Sequence, residues 1–292
     1  MNIALYGKIL KKESIPYLQM LVDKLEDVGV HLLIYKPFYK VIEKNVSIKS
    51  QFSLFSGYKD LVNNVDYLFS IGGDGTLLET ITLIRDSNTP VLGINLGRLG
   101  FLSSVSKDEI SAAVEQVMQN KYSIEERTLL QLNYKENNFG DINYALNELS
   151  IHKSEAYSML TIKVNVDGKY LNTYWADGLI IATPTGSTAY SLSNGGPILT
   201  PDSKNFIITP IATHNLTVRP IVIPDSSVVT ILVQGRNNNF NLGLDSRYNF
   251  KDKPVELEVR KSSVNLKLIK LQNESFFTTI RKKLNWGLDN RN

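Results

Sequence analysis

Gly72-Gly73-Asp74-Gly75-Thr76 constrains this chain more than any other five residues. The loop follows a strand-like run, Val65-Asp66-Tyr67-Leu68-Phe69-Ser70-Ile71, and leads into a helical pattern over residues 77–84. A glycine loop between a strand and a helix start presents free backbone N–H groups to a phosphate. The strand–loop–helix order also puts it at the carboxyl edge of a sheet, where such folds bind ligands. The carboxylate is the odd part. Asp74 repels a phosphate if holding one is its only task. It fits better as a metal ligand or as the acceptor of a proton from an attacking hydroxyl, both tasks of a phosphoryl-transfer site. Neither G-x-G-x-x-G nor a Walker lysine sequence occurs, which argues against an ordinary dehydrogenase or a P-loop enzyme.

Around this loop the first 125 residues alternate strand-like and helix-like stretches. That pattern predicts an α/β domain with a mostly parallel, Rossmann-like sheet covered by helices. Strands are expected at 2–6, 31–35, 65–71 and 90–94. Helices are expected at 14–28, with Tyr17, Leu18, Leu21, Val22 and Leu25 on one face, and at 107–118, with Ser106 and Glu109 as a capping box. Residues 37–58 carry no clear period and read as a loop beside the site.

Near residue 124 the texture changes to short strand-like segments at 129–134, 146–152, 159–166, 170–175, 179–182, 206–210, 227–234, 254–259 and 264–271. Asp167-Gly168 is a tight hairpin turn, since both residues tolerate positive φ. An all-β antiparallel sandwich follows. Residues 274–286 return to a helical pattern. Phe277, Ile280 and Leu284 are expected to be buried there, with Arg281-Lys282-Lys283 solvated. The expected organisation is an α/β domain over 1–125, a β-sandwich over 126–271 and a final helix over 272–292.

A chain of 292 residues accommodates two such domains, and 42% hydrophobic against 21% charged residues fits a folded protein. A net charge of +3 gives no reason to expect nucleic-acid binding. No apolar run approaches the ~20 residues of a membrane helix, and the first residues lack the pattern of a secretion signal. With zero cysteines there are no disulfides and no thiolate metal sites. A cytoplasmic protein with neither membrane nor nucleic-acid partners is expected.

Three further segments carry candidate chemistry. Gly93-Ile94-Asn95-Leu96-Gly97-Arg98-Leu99-Gly100-Phe101-Leu102 reads either as a flexible connection or as a second wall of a phosphate pocket, with Arg98 as charge partner. Asn147-Glu148 pairs a carboxamide with a carboxylate, as an adenine edge and a ribose diol require, although a solvated strand edge is the plainer reading. The longest segment, from Asp177-Gly178-Leu179 through Thr183-Pro184-Thr185-Gly186-Ser187-Thr188-Ala189-Tyr190-Ser191-Leu192-Ser193, feeds an apolar strand into a loop dense in hydroxyls. Tyr190 and Leu192 give that loop an apolar side on which a flat base can lie. Among the histidines, His31 is expected to be packed and His152 solvated. His214 is a weak candidate for a pocket wall.

Taken together, these residues resemble the NAD kinase family over residues 65–219: Gly-Gly-Asp-Gly-Thr, Asn-Glu about seventy positions on, then Asp-Gly-Leu with Thr-Pro-Thr-Gly-Ser-Thr-Ala-Tyr. The glycine–aspartate loop alone also looks like diacylglycerol and sphingosine kinases. The resemblance implies an N-terminal α/β domain, a C-terminal β-sandwich and a final helix that packs back on the first domain. It implies transfer of the terminal phosphate of ATP to the adenosine 2′-hydroxyl of NAD, with Mg²⁺ as the divalent metal and Asp74 as proton acceptor. Gly72, Gly73, Gly75 and Thr76 become the phosphate loop. Gly75, Asn147, Glu148, Asp177, Thr188, Ala189, Tyr190, Ser191, Leu192, Ser193 and Ala212 join Asp74 as NAD contacts. Trp175 stands where family members vary, and Arg247 is a weaker match. A homodimer or homotetramer is implied. A lipid kinase and a non-catalytic NAD(P) sensor are the alternative readings.

Overall fold

The computed structural model of the chain describes residues 1–97, 100–103, 105–136, 138–155, 158–235, 239–272 and 275–287. The chain divides into two compact units, Met1–Glu126 with Leu266–Asn292, and Arg127–Asn265.

In the first unit, strands β1 (Asn2–Gly7), β2 (His31–Tyr35), β3 (Phe52–Phe55), β4 (Tyr67–Ile71) and β5 (Val91–Asn95) form a parallel sheet in the order β3-β2-β1-β4-β5. Strand β6 (Val105–Ser106) adds to β5 in parallel. Every residue of β4 and β5 is buried, as expected where helices cover both faces. The helix Ile15–Asp27 buries Leu18, Leu21, Val22 and Leu25, one stripe at helical spacing. These join Ile3, Leu5, Phe69, Leu92 and Ile94 in one core. The strand order reverses between β1 and β4. Ligands bind outside the carboxyl ends of strands at such a reversal, and Gly72–Thr76 leaves β4 there.

Residues 37–58 are not a loop. They supply the helix Lys36–Ile42 and edge strand β3, anchored by buried Phe38, Ile42, Val46 and Phe55. Phe38 and Ile42 are one helical turn apart on the buried face, and a helix of seven residues, with Pro37 in its first turn, is too short for that pair to stand out as a period. The segment 107–118 is a short 3-10 turn followed by the helix Ile110–Met118. Glu109 accepts hydrogen bonds from Ser106 N–H and Oγ at 3.0 and 2.6 Å.

In the second unit two antiparallel sheets face each other. Strands β7 (Tyr122–Asn133) and β8 (Tyr144–Ala145) lead into it and pair through Leu130 and Ala145. Then come β9 (Glu148–Lys153), β10 (Leu160–Val166), β11 (Lys169–Ala176), β12 (Gly178–Ala182), β13 (Asn205–Ile211), β14 (Ile221–Pro224), β15 (Val229–Gly235), β16 (Phe240–Leu244), β17 (Arg247–Lys251) and β18 (Val255–Leu271). One sheet runs β14-β13-β12-β9-β16-β17; in the other, β11, β10, β15 and the first part of β18 are neighbours. Strict alternation buries Leu160, Ile162 and Val164 of β10 against Ile151, Ile181, Ile208 and Leu242 of the facing sheet. The Asp167-Gly168 turn has φ of 50° and 75° and joins β10 to β11. Two strands expected at 254–259 and 264–271 are one continuous strand; the strand-like stretch 242–247 is instead the end of β16, a two-residue turn and the start of β17, and β14 is an addition to the expected strands.

Strand β12 is buried on both faces. Its outer side chains, Ile180 and Ala182, pack with Ile207, Ile211 and Leu199. That second small core fixes the start of the hydroxyl-rich loop.

The final helix, Phe276–Leu284, belongs to the first unit. Only Ile280 is buried; Phe277 is 61% exposed and Leu284 37%. The expectation that all three are buried is corrected: periodicity marks an apolar stripe, not the surface that covers it.

Gly93 decides how closely residues 102–103 can lie on β5. A Cβ there falls 2.7 Å from Ser103 Cα and 2.7 Å from Leu77 Cδ1. Gly93→Ala is expected to lower the unfolding free energy by about 1–3 kcal/mol through overpacking. Urea unfolding checks this, and an unchanged midpoint counts against the close packing.

Candidate functional site

Asp74 opens the helix Asp74–Glu79. Its carboxylate is held by three consecutive backbone donors. Phe101 N–H donates to Oδ2 at 2.8 Å, while Leu102 and Ser103 N–H donate to Oδ1 at 3.1 and 3.0 Å. Two glycines make room. At Gly100 a Cβ falls 1.8 Å from Asp74 Oδ1, and at Gly72, with φ of 150°, 2.4 Å from Thr76 Oγ1. The segment read as a second pocket wall therefore clamps the aspartate. Arg98 lies outside the described residues.

The loop's own donors divide cleanly. Gly72 N–H bonds Ile94 O at 2.9 Å and Thr76 N–H bonds Gly73 O at 2.9 Å. Among the described residues, the N–H groups of Gly73, Asp74 and Gly75 have no acceptor. Next to the loop, Glu79 accepts hydrogen bonds from Tyr6 OH and Lys8 Nζ, both at 2.6 Å. Burial and this contact push the Tyr6 phenol far above its ordinary range. No sequence signal pointed to Tyr6, Lys8 or Glu79, because their proximity comes only from the parallel sheet.

The second unit gathers the other candidates. Asn147 and Glu148 are 8% and 9% exposed, not a solvated edge. Asn147 precedes β9 rather than sitting within it. Glu148 Oε2 is buried with no hydrogen-bond partner. Burial, and then the negative charge of Asp245, push Glu148 up to about 8, against a hydrogen bond from Tyr190 N–H. Tyr190 stacks on His152, with ring centroids 5.3 Å apart and planes 27° apart. His152 is thus half-buried rather than solvated, and its burial lowers its pKa. His31 is partly buried and contacts Ser53 Oγ, while His214 is exposed.

Asp177 follows β11, pairs with Lys153 at 2.7 Å, and its N–H bonds Ile211 O beside Ala212. Ala212 is exposed, with a positive φ of 45°. Trp175 is 57% exposed, and its carbonyl accepts the His214 N–H. In the hydroxyl-rich loop, Thr183, Thr185 and Ser187 are buried and Thr188, Ala189 and Leu192 partly so, while Tyr190 and Ser193 are exposed. Ser191 turns inward to Thr209 Oγ1 at 2.8 Å. Arg247 donates to the carbonyls of Ile142 and Tyr144.

Two outcomes follow. Gly100→Ala is expected to displace the Asp74 carboxylate and abolish its function while circular dichroism stays native; retained activity contradicts the clamp. Glu148 carries a raised pKa in the folded protein, so its stabilising contribution is full below its ordinary 4.5 and is lost as pH rises through about 8. Glu148→Gln removes that dependence. Its melting temperature relative to the wild type should climb between pH 5.5 and pH 8, whereas parallel curves contradict the burial.

Comparison with known proteins bears directly on this arrangement. The family profile of the ATP-NAD kinase N-terminal domain matches residues 3–122, and that of the ATP-NAD kinase C-terminal domain matches residues 146–271. The chain is 45% identical to an NAD kinase of Cytophaga hutchinsonii over 293 residues, and 42% identical to an NAD kinase of Flavobacterium psychrophilum over 294 residues, covering 100% of each chain in both cases. Among solved structures, yeast NADH kinase complexed with NADH superposes with a TM-score of 0.86 at 25% identity, over 99% of this chain and 89% of that one. An NAD kinase from Archaeoglobus fulgidus in complex with ATP, at 22% identity, shares the fold with a TM-score of 0.75, over 98% of this chain and 99% of that one. The chain therefore belongs to the NAD kinase family and is a kinase.

Proposed function

We propose that the protein transfers the terminal phosphate of ATP to the adenosine 2′-hydroxyl of NAD, giving NADP and ADP, with Asp74 as general base. The observation that carries this reading is the clamped carboxylate. Oδ1 accepts two N–H groups and Oδ2 only one, so Oδ2 keeps lone-pair capacity for an incoming hydroxyl proton. The three donors also hold the group in place before the substrate arrives, so orientation need not be achieved during the reaction.

In the step itself the 2′-hydroxyl gives its proton to Asp74 as its oxygen bonds to the terminal phosphorus. The bond from that phosphorus to the bridging oxygen breaks, and ADP leaves. The N–H groups of Gly73, Asp74 and Gly75 are the loop donors left to receive phosphate oxygens, within the phosphate loop Gly72, Gly73, Gly75 and Thr76. Asn147 and Glu148 hold the adenosine, and the buried, unpaired Glu148 Oε2 is a reason to expect a polar ligand atom there. Asp177, Ala212 and Thr188 to Ser193 line the dinucleotide, Tyr190 offering a ring face beside His152. Trp175 is a further contact. Arg247, with two of its donors already engaged, is the weakest.

Among the described residues, no group of three His, Asp or Glu side chains could hold a metal ion. Mg²⁺ enters as part of the substrate, on the ATP phosphates, where it neutralises their charge. The same reading puts the enzyme in the cytoplasm as a homodimer or homotetramer. No described helix is long and apolar enough to cross a membrane.

The test is purified protein with ATP, Mg²⁺ and NAD, read out by an NADP-specific dehydrogenase. General-base assistance is worth ~10²–10⁴-fold, so Asp74→Asn should lose at least that in turnover while NAD binding by calorimetry persists. NADP formation at the wild-type rate in Asp74→Asn contradicts the assignment.

A further inference from the structure

Asn147 lies between β8 and β9 and Glu148 opens β9, so the polar groups of this backbone need partners beyond the regular ladder. They find them in two places. The Asp245 carboxylate accepts three consecutive N–H groups, from Leu146 at 2.9 Å through Oδ2 and from Asn147 and Glu148 at 2.7 and 3.2 Å through Oδ1. Asp245 N–H returns a bond to Glu148 O at 3.0 Å. From the other side Thr183 N–H donates to Asn147 O at 2.9 Å, and Thr183 Oγ1 donates to Leu146 O. Gly186 presses on the same backbone, since a Cβ there falls 2.1 Å from Asn147 O.

We propose that Asp245 is the positioning residue of the dinucleotide site: without touching the ligand, its carboxylate sets the backbone from which Asn147 and Glu148 reach it. This rests on the reading of that pair as the adenosine contact. Asp245 occupies the tight turn between β16 and β17 with φ of 52°, a backbone that asparagine also tolerates. The turn's second anchor is Arg247, which holds the carbonyls of Ile142 and Tyr144 just upstream. Six groups of the 142–148 backbone are thus tied to one two-residue turn and its flanks.

A carboxylate does here what a neutral side chain cannot. An asparagine in its place offers one acceptor oxygen and turns an NH₂ toward a backbone N–H, leaving one donor unpaired. The charge has a second effect. Asp245 is the charged side chain that acts on Glu148, while Asp177, paired with Lys153, acts on His152. With Asp245 ionised, Glu148 holds its proton near neutral pH and can donate to a ligand oxygen or ring nitrogen.

The experiment compares Asp245→Asn and Thr183→Val with the wild type. Steady-state kinetics are measured with ATP and NAD, and the Glu148 carboxyl is titrated by difference infrared spectroscopy, assigned with Glu148→Gln. Asp245→Asn is expected to raise KM for NAD at least tenfold while kcat and KM for ATP change less than threefold, and to lower the Glu148 titration midpoint. Thr183→Val is expected to raise KM for NAD without moving that midpoint, and this arm decides the matter if Asp245→Asn does not fold. An unchanged KM for NAD in the variants, or equal losses in kcat and both KM values, overturns the proposal. If the wild type makes no NADP, the proposed function fails separately. The titration then decides: a lower midpoint in Asp245→Asn supports the coupling, and an unchanged one overturns it.

Discussion

A carboxylate caught by three successive backbone N–H groups is the interaction on which the chemistry proposed for this protein depends. Asp74 is caught by residues 101–103. The three donors belong to a loop that β5 delivers beside the loop from β4, and the two strands pair in parallel from Leu68–Val91 to Ile71–Ile94. Chain reversal in a parallel sheet thus becomes the precise placement of one side chain. Charge-assisted bonds of this kind are shorter and stronger than neutral ones, and backbone donors have little freedom to move away.

The arrangement leaves no space for larger residues. Gly72, Gly93 and Gly100 each stand where a methyl group meets a neighbour at under 3 Å. Glycine weakens a loop entropically, so these positions trade local stiffness for closeness of approach. The second unit uses the same device with the roles exchanged. There the captured segment carries the candidate binding residues and the carboxylate of Asp245 stands behind them. The cost is a carboxyl whose own pKa is raised by burial despite three N–H bonds and Arg247.

Much of this was legible in the amino-acid sequence. Period-3.6 and period-2 patterns located the helix over 15–27 and the strands over 160–166 and 169–176, because those elements each bury one face. The loop 72–76 stood out because an acidic residue between glycines has no packing purpose. What escaped were contacts that only folding creates. Asp245 lies 99 residues from Leu146, and nothing local distinguishes it from an ordinary turn residue. Gly100 was visible as a glycine, but the carboxylate it accommodates was not. His152 looked solvated because its stacking partner, Tyr190, comes from another element. The apolar stripe of the final helix misled in the opposite direction, since amphipathic spacing says nothing about whether a neighbour is there to cover it.

The central claim is that Asp74 takes the proton of the adenosine 2′-hydroxyl. A crystal structure of the protein with NAD bound tests it most directly, through the distance from Asp74 Oδ2 to the 2′-oxygen. Hydrogen-bond reach, about 2.6–3.2 Å or one bridging water, with the amides of residues 101–103 still on the carboxylate, is the predicted result. A 2′-oxygen out of reach of Asp74, with a different basic group beside it, contradicts the account.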